Sequence, residues 1–103
     1  MANKKYFIVR GDFRNVYSLY WADSPEMEAH LPWNAERITR KQALEYCYAE
    51  SERRKYNPSS AYYATDDIVP ADLHLYSDGD LYNDRRFERR GRIWERSSTG
   101  ERK

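Results

Sequence analysis

The sequence predicts an α+β fold: an N-terminal β-hairpin, then one capped α-helix packed on a mostly antiparallel sheet of short strands. Two runs rich in β-branched and aromatic residues, 4–10 (KKYFIVR) and 16–22 (VYSLYWA), are typical of strands and lie close enough in sequence to pair. A capping-box sequence at 39–42 (TRKQ) then begins a helical pattern. Short strand-like runs separated by turn signals follow this helix.

The predicted hairpin rests on the turn residues and on the alternation of the second run. A glycine and two polar turn residues follow the first run and favour a loop of about five residues. In the second run Tyr17, Leu19 and Trp21 fall on one face, which is the more apolar face. The segment 23–37 contains two prolines and is predicted to be a connection, with about one helical turn around 26–30.

The helix has the clearest local signals in the chain. Within the capping box 39–42, the threonine and glutamine side chains can each accept a hydrogen bond from the other residue's backbone N–H. The helical pattern runs over 40–55 and is expected to end at 57–58 (Asn-Pro). Glu50 and Arg54 are expected to pair on the solvent side. The face predicted to pack on the sheet consists of Ala43, Leu44, Cys47, Tyr48 and Ser51.

The strands predicted after the helix are short, and the sequence leaves their order in the sheet open. The strand-like runs are 60–65, 73–76, 81–83 and 92–96. Pro70 is expected to limit pairing of the segment 66–72, and 78–79 (Asp-Gly) is a hairpin turn signal. We expect residues 1–96 to form a single α+β domain and residues 97–103 to form a flexible tail.

Length and composition bound the class of protein. The chain has 103 residues, 16% of them aromatic, which suits one domain with a tyrosine-rich core. No apolar run is long enough to span a membrane, and the first residues lack the pattern of a signal peptide. The single cysteine, Cys47, fits a reducing compartment and is expected to be a buried small apolar residue. These features predict a cytoplasmic protein that does not interact with membranes.

The sequence contains no catalytic or cofactor motif of known spacing. We therefore predict a non-enzymatic protein with no catalytic residue, no cofactor and no metal site. His30 and His74 lie in different segments, and nothing in their spacing supports catalysis with Cys47. The six aspartates of the acidic stretch are interpreted first as turn residues, although an acidic binding surface or a metal site are alternatives. They are Asp66, Asp67, Asp72, Asp78, Asp80 and Asp84.

Charge is segregated along the second half of the chain. Residues 61–84 carry six aspartates and no basic residue, whereas residues 85–103 carry eight basic and three acidic residues. The two segments are therefore able to pair with each other within the fold. The arginine-rich segment 85–94 (RRFERRGRIW) has three interpretations: a solvated edge strand with internal ion pairs, an anchor for a protein partner, or a nucleic-acid contact.

The same segment supplies the predicted binding residues. If the segment forms a strand pair, Arg90-Gly91 is the turn. Glu88 reduces the positive charge that a phosphate-binding arm would need. Trp33 is either an exposed or half-exposed aromatic or a plug at the end of the sheet. The predicted partner-binding residues are Arg85, Arg86, Phe87, Arg89, Arg90 and Trp94, with Trp33 as the weaker candidate.

In type, the chain resembles the small orphan accessory proteins encoded by bacteriophages, among them inhibitors of host defence such as anti-CRISPR proteins. The features that carry the resemblance are the length, one capped helix (ITRKQALEYCYAESERRKYNP) beside aromatic strands, and the lack of a catalytic signature. The resemblance implies a protein that binds a host protein or a protein–nucleic-acid complex and occludes it. The alternative is a sequence-tolerant DNA- or RNA-binding module that uses the arginine-rich segment.

Overall fold

A six-stranded sheet is the framework of the described part of the chain. The computed structural model describes residues 4–11, 17–56, 67–75 and 86–97. The strands are β1 (Lys5–Arg10), β2 (Tyr17–Ala22), β3 (Glu36–Ile38), β4 (Ile68–Pro70), β5 (Phe87–Arg90) and β6 (Ile93–Arg96). Their order across the sheet is β3–β1–β2–β4–β6–β5. The predictions for 60–65, 78–79 and 81–83, for Arg85 and for the tail beyond residue 97 lie outside the described residues.

The sheet is mostly antiparallel, as predicted, but its centre is parallel. β1 pairs antiparallel with both β2 and β3, and β5 pairs antiparallel with β6. β4 pairs in parallel with β2 on one side and β6 on the other. The loop expected between β1 and β2 falls largely outside the described residues. β3 lies in the segment that the sequence predicted to be a connection, because a three-residue edge strand has too few residues to show alternation.

The main helix, α2 (Arg40–Tyr56), has the predicted start. The Thr39 N–H donates to Gln42 Oε1 at 2.9 Å, and the Gln42 N–H donates to Thr39 Oγ1 at 3.0 Å. These two bonds form the reciprocal capping box and satisfy backbone donors that the first turn leaves unpaired. The helix buries Ala43 and Cys47 on the sheet face that carries the side chains of Ile8, Leu19 and Ile68.

The predicted inner face of α2 is partly wrong. Tyr48, expected to pack inward, is 62% exposed, whereas Glu50, expected on the solvent side, is 1% exposed. The buried stripe runs through Ala43, Cys47 and Glu50, because small side chains let the helix approach the sheet closely. The Glu50 carboxylate tolerates this position through an ion pair with Arg53 at 2.8 Å.

The opposite face of the sheet is covered by short elements. α1 (Pro25–Glu28), capped by Ser24, buries Met27. Leu73–Leu75 forms a single turn of 3₁₀ helix, so the prediction of a strand over 73–76 is wrong. A second apolar cluster lies beneath this turn and is made of Phe87 and Trp94 with Val69 and Leu73 against them.

As predicted, Pro70 limits pairing of the segment 66–72: among the described residues β4 pairs with β6 only at Ile68 and Ile93, although β4 lies in the middle of the sheet. Successive backbone N–H groups of β4 point alternately toward β6 and toward β2, and this alternation explains how the proline is accommodated. The Ile68 N–H donates to the carbonyl of Arg92, the residue before β6, at 2.8 Å, and the Ala71 N–H donates to the Trp21 carbonyl of β2 at 2.9 Å. In a parallel ladder the next donor toward β6 would be residue 70, aimed at the Trp94 carbonyl. Pro70 has no N–H, and the indole Nε1–H of Trp21 donates to that carbonyl instead.

Candidate protein-binding surface

The arginine-rich segment forms a β-hairpin, as one of its sequence interpretations predicted. Arg90 of β5 faces Ile93 of β6, so Gly91 and Arg92 form a two-residue turn, one residue later than the predicted turn at Arg90-Gly91. Gly91 has a φ of +65°, and among the described residues no non-glycine residue has a positive φ. Glycine in the first central position is typical of a type II′ turn, whose twist matches that of paired strands.

The hairpin separates its aromatic residues from its arginines. Phe87 and Trp94 are buried in the second apolar cluster, so they contribute packing rather than exposed contact area. Arg86, Arg89 and Arg90 are exposed. Of the residues predicted to bind a partner, the structure therefore places the described arginines at the surface and the two hairpin aromatics in the interior.

Several arginines pair with acidic residues, which confirms the predicted internal pairing for the described residues. Arg89 Nη2 lies 3.1 Å from Asp67 Oδ1, and both carboxylate and guanidinium are partly shielded from water. Arg96 Nη2 lies 3.6 Å from Asp72 Oδ2. Asp67 and Asp72 thus flank β4 and each faces an arginine of the hairpin. Within the described ranges, no three histidine, cysteine or acidic side chains are grouped so as to hold a metal ion.

The turn of the hairpin reaches the outer side of α2. The Arg92 guanidinium carbon lies 5.5 Å from the centroid of the Tyr48 ring, within the range of a cation–π contact. Arg90 alternates with Arg89 and points to the side of the sheet on which α2 lies, where it forms an ion pair with Glu88. Tyr48, Arg90 and Arg92 together define what we call the Tyr48–hairpin surface.

Sequence reasoning missed this surface for an identifiable reason. The prediction places Tyr48 on the inner face of α2 and so excludes it from the candidates. Ala43 and Cys47 belong to both the predicted and the observed buried face and do not distinguish the two orientations. Arg92 was recognised as part of the arginine-rich segment but was left out of the predicted binding residues. Its contact with Tyr48 depends on how the hairpin is placed over the helix, which the sequence does not encode locally.

Trp33 does not plug the sheet, because its side chain is 96% exposed. It is also remote from the hairpin. The Nδ2–H of the adjacent Asn34 donates to the Arg10 carbonyl of β1 at 3.2 Å. β1 is four strands away from β5, which corresponds to about 19 Å at the usual strand spacing of about 4.8 Å. Trp33 and the hairpin arginines therefore do not form one continuous patch.

A cleft of about 240 Å³ lies on the other side of the sheet from α2. Its lining includes Tyr20, Leu31, Val69 and Leu73, and the two histidines, His30 and His74. The histidine rings lie edge to face with centroids 5.3 Å apart. Cys47 is fully buried under α2, so the fold gives it no place in this cleft.

One tyrosine on the helix side of the sheet has a strongly shifted acidity. The Tyr17 hydroxyl donates to the Tyr46 carbonyl of α2 at 2.9 Å, and the two rings lie edge to face. Burial, followed by the nearby Glu50 carboxylate, raises the pKa of Tyr17 to about 12. This tyrosine is neutral at physiological pH and packs against α2.

Comparison with protein-family models, with curated proteins and with solved structures finds no match to this chain. None of the described helices is long and apolar enough to cross a membrane.

Proposed function

We propose that the protein is a small non-enzymatic binding protein that occludes a host protein or a protein–nucleic-acid complex, in the manner of a phage inhibitor of host defence acting in the cytoplasm. The observation that carries the proposal is the Tyr48–hairpin surface. It exposes the aromatic ring of Tyr48 on α2 beside the guanidinium of Arg92, which lies in the two-residue turn of the hairpin. Tyrosine and arginine are enriched among the residues that dominate binding energy at protein interfaces.

The physical state of this surface favours association. Tyr48 exposes most of its ring to water, and covering apolar area is favourable at about 25 cal/mol per Å². Its position on α2 and its contact with Arg92 restrict the ring, so a partner would lose less side-chain entropy on binding. A guanidinium beside an aromatic ring is suited to a partner surface that presents carboxylates next to apolar side chains.

The pairing of charges favours a protein surface over bare nucleic acid. Arg89, Arg90 and Arg96 each face a carboxylate of the chain itself, which weakens the positive field of the hairpin. Phosphate-binding surfaces depend on unneutralised cations, since counterion release supplies most of their affinity. Of the 18 basic residues in the chain, arginines predominate, as expected where carboxylates are recognised in pairs of hydrogen bonds.

The test compares three tagged variants as baits in the native host. Arg92→Glu and Tyr48→Ala alter the Tyr48–hairpin surface, whereas Trp33→Ala removes an exposed aromatic of similar size at a remote position. We expect one set of host proteins to be retained by the wild type and by Trp33→Ala and to be lost from Arg92→Glu and Tyr48→Ala. The circular dichroism spectra of the three variants should match that of the wild type.

Nuclease treatment of the lysate and salt dependence separate the outcomes. Retention of the partner after nuclease treatment supports the proposal. Loss of all binding on nuclease treatment, with a slope of log K against log salt of about −0.9 per duplex phosphate contacted, would instead establish a nucleic-acid-binding module. Partners that are lost from Trp33→Ala but kept by Arg92→Glu and Tyr48→Ala would move the binding surface to the other side of the molecule.

A further inference from the structure

We propose that His30 and His74 form a two-histidine site for a divalent transition-metal ion such as Zn²⁺, Ni²⁺ or Cu²⁺. This inference is independent of the proposed function and concerns the cleft on the side of the sheet away from α2. The two rings come from separate segments, the turn after α1 and the 3₁₀ helix, and the fold brings their centroids to 5.3 Å with an angle of 69° between ring planes.

The separation of the rings matches joint coordination. Two imidazoles bound to one Zn²⁺ at about 2.0–2.1 Å, with a roughly tetrahedral angle between them, have ring centroids about 5 Å apart. The observed 5.3 Å is close to that value, so the two rings can reach a shared ion by rotation of their exposed side chains, without movement of the backbone. Both histidines are exposed, which gives an ion direct access from solvent.

The backbone on each side of the cleft is fixed, so the pair is held in place. The His30 N–H donates to the Met27 carbonyl at 3.0 Å, and the adjacent Leu31 packs against the main core. On the other side, the Leu75 N–H donates to the Asp72 carbonyl at 3.0 Å, while Leu73 packs against the second apolar cluster. Each histidine therefore lies beside an anchored leucine, and bringing the rings together costs little additional backbone entropy.

The donor set defines the class of ion. Imidazole nitrogen suits Zn²⁺, Ni²⁺ and Cu²⁺, and affinity for a given nitrogen site rises from Ni²⁺ to Cu²⁺. Mg²⁺ and Ca²⁺ require oxygen ligands and should not bind the pair. No third protein ligand joins the histidines among the described residues, so water would complete the coordination. An ion held there would link the segment after α1 to the 3₁₀ helix.

The competing explanation is an ordinary edge-to-face contact between two aromatic rings, which is common at such distances. The two explanations differ in one respect: chelation requires both rings at once, whereas a ring contact leaves two independent imidazoles. Titration calorimetry of the full chain with ZnCl₂, and with MgCl₂ as the reference ion, distinguishes them. Because both side chains are exposed, His30→Ala and His74→Ala should fold normally.

We expect the wild type to bind one equivalent of Zn²⁺ and each single variant to lose at least about tenfold in affinity, with the double variant no weaker than either. Trp33→Ala, which alters the same loop but keeps both rings, should bind like the wild type. Zn²⁺ should also raise the melting temperature of the wild type by several degrees and leave both histidine variants unchanged. Unaltered Zn²⁺ binding in a single variant, or additive losses in the double variant, would overturn the site.

Magnetic resonance of the wild type provides an answer that requires no variant to fold. In a Zn²⁺ titration, the imidazole nitrogen signals of His30 and His74 should both show a coordination shift and saturate at the same metal concentration. A coordination shift in one ring alone would also overturn the proposal.

Discussion

Removing the indole N–H of Trp21 should destabilise the centre of the sheet and lower the free energy of unfolding. Trp21 is fully buried on β2, and its Nε1–H donates to the Trp94 carbonyl of β6. That carbonyl lies where a parallel strand would ordinarily supply a backbone donor, but the residue in that place is Pro70. The indole therefore replaces a missing backbone hydrogen bond, and the carbonyl depends on it.

The magnitude follows from two separable effects of Trp21→Phe. The smaller ring leaves unfilled volume in the core, which for large-to-small changes of this kind costs about 1–3 kcal/mol. The Trp94 carbonyl also loses its donor in a buried position, which costs a further 1–3 kcal/mol or so. We expect the variant to be destabilised by about 2–6 kcal/mol in total.

A double-mutant cycle isolates the hydrogen bond. Pro70→Ala restores a backbone N–H aimed at the same carbonyl, so it should be less damaging in the Trp21→Phe background than in the wild type. The expected coupling is about 1–2 kcal/mol in favour of the double variant, measured as the free energy of unfolding in urea at pH 7. Additivity within about 0.5 kcal/mol would refute the idea that Trp21 substitutes for the missing donor of Pro70.

Three further predictions concern single features of the fold. Replacing Arg53 and Arg54 by Met leaves the Glu50 carboxylate buried without either cation and should lower the free energy of unfolding by about 3–5 kcal/mol. Glu50→Gln should lower it by only about 1 kcal/mol, because the half-exposed arginines can be hydrated. Urea unfolding that ranks the two proteins in the opposite order would contradict this. Gly91→Ala should cost about 1–2 kcal/mol, since a Cβ there meets nothing within 4 Å and only the positive φ opposes it; an unchanged urea midpoint would show that the turn adopts another conformation. Burial raises the pKa of Tyr17 to about 12, so the folded protein retains a proton that the unfolded chain loses near pH 10. The free energy of unfolding should therefore fall between about pH 10 and 12 in the wild type, and should fall less in Tyr17→Phe. An equal fall in both proteins would assign the effect to other groups.

The helix could be predicted closely because its limits are encoded locally. The capping box at Thr39 and Gln42 acts within four residues, and its two hydrogen bonds appear as expected. Which face of the helix packs on the sheet could not be predicted in the same way. Sequence periodicity offered two adjacent stripes, one containing Tyr48 and one containing Glu50, and hydrophobicity favoured the wrong one. The correct stripe became favourable only because arginines one turn along neutralise the buried carboxylate.

The centre of the sheet could not be predicted because none of its determinants is local. β4 has three residues and ends at a proline, features that argue against a central strand. Its placement depends on a tryptophan side chain from β2 and on a carbonyl of β6, which are distant along the chain. The same limitation applies to the candidate sites: the contacts of Arg92 with Tyr48 and of His30 with His74 both join separate segments. Composition indicated the residue types, but only the fold brings them together.

The ion pairs of the hairpin explain how so short a central strand can be held in one register. Asp67 precedes β4 and pairs with Arg89 of β5, while Asp72 follows β4 and pairs with Arg96 of β6. Partly exposed pairs of this kind contribute little stability, about 0–1 kcal/mol each. A slip of β4 against β6 would, however, separate both pairs at once and leave two largely buried carboxylates without cations, which is far more costly. The main effect of these ion pairs is therefore to destabilise incorrect registers of β4, and Arg89 and Arg96 are the arginines that form them. Arg92, whose guanidinium lies over the exposed Tyr48 ring, is the arginine of the hairpin that we propose meets a partner.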